Sequence, residues 1–208
     1  MAKHQVVIID YGMGNLWSVA SAVRHLGAEP SITENLEEIL SAKLLILPGV
    51  GSFSRAMETI KLKSIDAAIH ESLTKSDVKL LGICLGMQLL GSSSSEDGDT
   101  QGLGLVPNKV QKFNNTQDTR LKIPHVGFSE VKHTSNTKLF RGIPSRSCFY
   151  FVHSYFMGLT SAISGGATCT HGTEFLAAFE HGQISGTQFH PEKSQSHGLT
   201  LLKNFIEL

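Results

Sequence analysis

The chain has 208 residues, 40% of them hydrophobic, which is enough to bury a sizeable core without disulfide or metal staples. Lys and Arg number 18 against 18 Asp and Glu, and the basic residues are scattered, which excludes the electrostatic footprint of a nucleic-acid or anionic-membrane binder. The apolar runs, such as residues 6–9 and 44–47, are too short to span a bilayer. Asp10 interrupts the N-terminal region before a signal-peptide core could form, and the three cysteines (Cys84, Cys148, Cys169) are odd in number and irregularly spaced; both point to a reducing, cytoplasmic setting.

Taken in chain order, residues 5–9 read as a strand. Leu16, Val19, Ala20, Val23 and Leu26 then recur at helical spacing until Gly27 stops them. Residues 44–47 form the next strand, and Met57, Ile60, Ile65, Ile69 and Leu73 share one face of a long helical stretch. An apolar run follows (Val78, Leu80, Leu81, Ile83) and ends at Cys84. This alternation predicts an α/β fold with a largely parallel central sheet flanked by helices and a site at the C-terminal ends of its strands. Residues 91–98 read as a solvated, serine-rich loop. Beyond it the second half adds antiparallel strands: 109–113, 129–132, 148–152, 167–171, and a hairpin of 175–180 with 183–189 turning at His181-Gly182. Residues 199–206 read as a closing helix, 114–120 as a polar loop, and no repeat or linker divides residues 1–208, which are expected to form one domain.

Chemistry is concentrated in two segments. In Gly82-Ile83-Cys84-Leu85-Gly86-Met87-Gln88, a strand that turns sharply into a helix would lift the Cys84 side chain clear of the backbone, and Gly82 and Gly86 are the small neighbours such a turn needs. A helix starting at about Leu85 would aim its free N–H groups and dipole at the sulfur and favour thiolate. Cysteine is also commonly a small buried core residue, and that reading stands beside this one. In Gln188-Phe189-His190-Pro191-Glu192-Lys193-Ser194, His190 and Glu192 supply an imidazole and a carboxylate to hold it. Alone, a His near a Glu is commonplace. With the cysteine elbow it completes a Cys84, His190, Glu192 triad suited to acyl transfer.

These segments resemble the class I, or triad, glutamine amidotransferases, which hydrolyse glutamine to glutamate and ammonia. Asp10-Tyr11-Gly12-Met13-Gly14-Asn15-Leu16, Leu47-Pro48-Gly49-Val50-Gly51, Ile123-Pro124-His125-Val126-Gly127 and Tyr150-Phe151-Val152-His153-Ser154-Tyr155 narrow the likeness to the glutaminase subunits of imidazole glycerol phosphate synthase. The similarity runs from about residue 5 to the C-terminus. It implies the class I glutamine amidotransferase fold, a heterodimer with a (β/α)8-barrel cyclase subunit that receives the ammonia for histidine synthesis, and no cofactor. It further implies oxyanion donors at Gly51 and Leu85, a place for Gln88 in the pocket, contacts to glutamine from Ser154 and Tyr155, and Glu96 near the substrate's amino group.

Other segments keep simpler readings. Residues 48–51 could be a plain strand-terminal turn, although a glycine-rich turn beside a nucleophile can also offer N–H donors. Gly12-Met13-Gly14-Asn15 lacks the third glycine of a phosphate loop and reads better as a helix start capped near Asn15. His125, His153, His171 and His181 show no metal-ligand spacing, no metal is expected, and His153 reads as a structural residue with its bonds satisfied. The family's Pro-His-Met-Gly-Trp-Asn, placed at the partner interface, is here Pro124-His125-Val126-Gly127-Phe128-Ser129, so a paralogue feeding another acceptor stays open. A cysteine peptidase or other thiol hydrolase, and a silent interaction subunit, are the readings from other classes.

Overall fold

A computed structural model describes residues 4–114, 121–133, 137–160, 163 and 166–208. Most of the expected polar loop at 114–120 lies outside them. The first half runs β1 (Gln5–Ile9), α1 (Leu16–His25), β2 (Glu29–Thr33), α2 (Leu36–Ser41), β3 (Leu44–Gly49), α3 (Phe53–Leu62), α4 (Ile65–Ser72), β4 (Lys79–Cys84) and α5 (Leu85–Leu89). The second half runs β5 (Ser93–Ser94), β6 (Thr100–Gln101), β7 (Lys109–Lys112), β8 (His125–Val131), β9 (Ser147–His153), β10 (Tyr155–Met157), β11 (Ala167–His171), β12 (Thr173–His181), β13 (Ile184–Thr187) and α6 (Gln195–Ile206).

Seven strands form the main sheet in the order β11-β12-β13-β4-β3-β1-β2. The pairings among β2, β1, β3, β4 and β13 are parallel; β12 joins β13, and β11 joins β12, antiparallel. Period-two alternation sends successive residues of each strand into different cores. Val6, Ile8, Leu44, Ile46, Leu81 and Ile83 face one, shared with α1 and α6; Val7, Ile9, Leu45, Leu47 and Leu80 face the other, shared with α3 and α4. Sheet strands buried on both faces are expected to read as continuous apolar runs, as β1, β3 and β4 do. Among the described residues no helix is long and apolar enough to cross a membrane.

Several elements depart from the sequence expectations. The long helical stretch is two helices, because Ser64 takes a left-handed φ of 58° and redirects the chain. Asn15 sits at the start of α1 but its side chain makes no capping bond; Asp10 Oδ1 instead accepts from Gly12 N at 2.8 Å. Within the serine-rich stretch, Ser93 and Ser94 are buried in a short strand paired with β6 and β7, so only its later part is solvated. The strand expected at 129 begins at His125, and the closing helix begins at Gln195. Residues 29–41, unassigned from sequence, hold β2 and α2, the latter capped by Asn35 Oδ1, which accepts from Glu37 N at 2.8 Å and Glu38 N at 3.4 Å.

The β4–α5 junction tolerates no side chain at its glycines. A Cβ on Gly86 would collide with the Leu47 carbonyl oxygen and lie 2.7 Å from its carbon, and one on Gly82 would lie 2.8 Å from Gly86 O and from Met87 Cα. All of these are backbone atoms in the packed interior and cannot swing aside. Gly86→Ala should therefore destabilise the fold by on the order of 3 kcal/mol. At roughly 2–4 °C per kcal/mol for a chain of this size, that is a drop in Tm of about 6–12 °C by calorimetry.

Candidate active site

Cys84 is the last residue of β4 and immediately precedes α5, with φ 56° and ψ −110°, a conformation rare for a residue with a side chain. The strain is held by the two glycine contacts and by β3, whose Gly49 lies opposite Cys84 in the sheet register. That pairing carries the 48–51 turn to the elbow. Helix α5 spans only five residues, and its first N–H groups have no partner inside the helix.

His190 and Glu192 follow β13, the parallel neighbour of β4, with register pairs Gly186 to Gly82 and Thr187 to Ile83. Pro191 opens a single 3-10 turn there, which folds Glu192 back onto the ring: His190 Nδ1 and Glu192 Oε1 are 2.8 Å apart. The side chains are 3% and 1% exposed. Burial opposes the charged imidazolium, but the Cys84 sulfur and the Glu192 carboxylate against the ring outweigh it and push the His190 pKa up to about 10. His190 Nε2 is buried and makes no hydrogen bond of good length and angle within the protein, leaving it available to a reacting group.

Gly51, Leu85, Gln88, Glu96, Ser154 and Tyr155 all border one cavity of about 360 Å³ together with Cys84. Gly51 has φ 102°, and Leu85 is the first residue of α5, whose N–H has no partner inside the helix. Glu96 caps α3 from outside the helix, accepting from Phe53 N at 2.8 Å. Burial raises its pKa, the Phe53 bond offsets part of that, and Asp97 raises it further. A larger cleft, about 620 Å³, lies around Lys43, Lys79 and Leu208 and contains no cysteine.

The site also contains groups that the sequence reading did not single out. Gln188 is fully buried; its Nε2 is 3.7 Å from Cys84 Sγ, and its Oε1 accepts from Gln88 Nε2 at 3.0 Å. Gln188 lies just past the end of β13, and no local sequence signal marks it. Tyr11 is also buried, with its hydroxyl unpartnered against Gly49. Burial, then the nearby Cys84 and Asp10, hold its pKa above the ordinary tyrosine range.

His153 is satisfied, as its structural reading required. Its Nδ1 is 2.8 Å from the Tyr155 carbonyl and its Nε2 is 3.0 Å from His125 Nδ1, while His125 Nε2 is 2.8 Å from Ser129 Oγ. The carbonyl can only accept, so His153 carries its proton on Nδ1, His125 donates from Nδ1, and Ser129 donates to His125. His171 stacks on His125 with centroids 4.2 Å apart. Among the described residues no three His, Cys, Asp or Glu converge as a metal-ligand set.

The family described as glutamine amidotransferase class-I matches residues 7–208, and the chain belongs to that family. Among its relatives, the imidazole glycerol phosphate synthase subunit HisH of Moorella thermoacetica is 45% identical over 203 residues, covering 98% of this chain and 94% of that one. The subunit of the same name from Methanosarcina acetivorans is 46% identical over 207 residues, covering 98% of each. In fold, the chain matches the structure of PurLQS from Thermotoga maritima with a TM-score of 0.73 at 16% identity, covering 99% of both chains.

The buried histidines make stability depend on acid. Burial, then neighbouring His171, pushes His125 down to about 4; burial chiefly, against the opposing pull of the Tyr155 carbonyl, pushes His153 down to about 3. Between the ordinary value near 6.5 and these values, the unfolded chain binds protons that the fold refuses. Stability from this pair is therefore complete above about pH 6.5 and is lost as pH falls toward 3. Urea midpoints measured from pH 7 to pH 4 should fall steadily, and His125→Gln should flatten the slope.

Proposed function

We propose that this chain is the glutaminase subunit of an imidazole glycerol phosphate synthase, acting in the cytoplasm as one domain through Cys84, His190 and Glu192. The observation that carries the chemistry is the strained Cys84 elbow standing beside a buried imidazole–carboxylate pair. Cys84 attacks the side-chain amide carbon of glutamine and its proton passes to His190. The C–N bond then breaks as His190 returns a proton to the departing ammonia, leaving a thioester on Cys84. Water adds with His190 as base and releases glutamate. Glu192 keeps the ring oriented and supports its charge at each proton transfer.

Backbone N–H groups of Gly51 and Leu85 are assigned to the tetrahedral oxyanion, a role in which one donor is worth roughly 3 kcal/mol of barrier. Gln88, Ser154 and Tyr155 hold the substrate, and Glu96 takes its ammonium group, consistent with their places around the cavity. Ammonium predominates over free ammonia at neutral pH and is no nucleophile, which favours direct delivery to a (β/α)8-barrel cyclase partner in histidine synthesis. The two relatives at 45% and 46% identity over nearly the whole chain favour this acceptor over a paralogous one. Val126 and Phe128 stand 58% and 50% exposed on β8, where the family's interface segment falls.

Cys84→Ala should abolish glutamine-dependent turnover while the reconstituted complex keeps its activity with ammonium salts; residual glutaminase activity would refute the nucleophile. Mixing the chain with the cognate barrel and its phosphoribosyl substrate should raise the glutaminase rate by orders of magnitude. A cognate barrel that neither binds nor stimulates would leave the glutaminase standing and remove the histidine-pathway assignment.

A further inference from the structure

Cys84 sits among groups whose hydrogen-bonding directions are fixed from outside the site. The Tyr155 carbonyl can only accept, and it takes bonds from His153 Nδ1 and from Gln88 Nε2, both at 2.8 Å. The end of Gln88 at that carbonyl must therefore be its NH2 group. The same NH2 lies 3.0 Å from the Gln188 side chain, so the atom it meets there must be oxygen. Gln188 is left with only one orientation, in which its own NH2 points at Cys84 Sγ, 3.7 Å away. The main chain of Gln188 is held as well, its N–H donating to Ala177 O at 2.8 Å. A fully buried amide has no water to turn toward, so this donor is fixed on the sulfur before any substrate arrives.

We propose that Gln188 is a further catalytic residue: its side-chain amide donates a hydrogen bond to the Cys84 sulfur, holding it and favouring its negatively charged form, with Gln88 determining which end of the amide faces the sulfur. This rests on Cys84 being the nucleophile. A donor to a charged sulfur is worth more than one to a neutral thiol, so the bond favours the attacking species over the resting one. The other titratable groups around the sulfur are His190, with Glu192 behind it, Tyr11, and Glu96, His153 and Tyr155, which line the same cavity. His190 must release and regain its proton in each turnover, whereas the Gln188 amide does not titrate and stays a donor throughout.

The discriminating variant is Gln188→Glu. It keeps an oxygen for the Gln88 NH2 and nearly the same shape, but presents a second oxygen to the sulfur where the donor stood. Alkylation of the full chain by iodoacetamide, read by peptide mass, gives the Cys84 rate against exposed Cys148 as internal reference. At neutral pH the Cys84 rate should fall about tenfold relative to Cys148. The deficit should close as pH is raised far enough to ionise the thiol unaided, and kcat for glutamine should fall with KM nearly unchanged. Gln188→Leu, which removes the donor without adding charge, is read the same way if the first variant does not fold. A ratio equal to the parent's, or a deficit identical at every pH, overturns the proposal and leaves Gln188 a packing residue. Failure of Cys84 to alkylate in the parent chain would instead remove the nucleophile assignment beneath it.

Discussion

The backbone of Gly86 lies against the Leu47 carbonyl so closely that not even a methyl group fits between β3 and α5. Because β3 and β4 are parallel neighbours, this contact ties the 48–51 turn to the elbow, and the two can shift only together. It also holds Cys84 at a positive φ that an unconstrained chain would relax. Cys84, the glycine turn and the first helical N–H are thus one rigid unit, set by packing in the middle of the sheet rather than by loops at its edge.

Around that unit the polar groups form a directed chain. From Ser129 through His125 and His153 to the Tyr155 carbonyl, and from that carbonyl through Gln88 and Gln188 to Cys84, each group's donor or acceptor role fixes the next one's. Much of the network is buried and most members bond on both sides, the condition under which internal polar groups rigidify a site instead of weakening it. It begins on β8, the strand that also displays Val126 and Phe128 to solvent.

The sequence revealed what local chemistry encodes. Strands β1, β3 and β4 were readable because both of their faces are buried and, after the first residues Gln5 and Lys79, β1 and β4 are as apolar or small throughout as β3. The clustering of Cys84 with His190 and Glu192 was readable because a cysteine between two glycines at a strand end and an imidazole beside a carboxylate each leave a mark within a few residues. Edge strand β2, Glu-Pro-Ser-Ile-Thr, offers only Ile32 to the core and so carries no periodic signal. The break at Ser64 uses neither Gly nor Pro, and β5 is buried despite a composition that suggests solvent. Gln188 and the His125–His153 pair were invisible for another reason. Their partners are set by cross-strand register, such as His125 directly opposite His153, which does not exist until the sheet forms.

The sheet order also governs when the chemistry comes into being. β4 occupies the middle of the sheet, yet one of its two neighbours is β13, made only after about a hundred further residues have been synthesised. Until β13 docks, β4 is an exposed apolar edge and the cysteine has no imidazole beside it. Pairings this distant in sequence form late and slowly, because the loop entropy is lost before the contact repays it. A chain that has not yet made β13 therefore holds Cys84 without the imidazole that the folded sheet brings to it. The Cys84, His190 and Glu192 arrangement forms in the same event that completes the core.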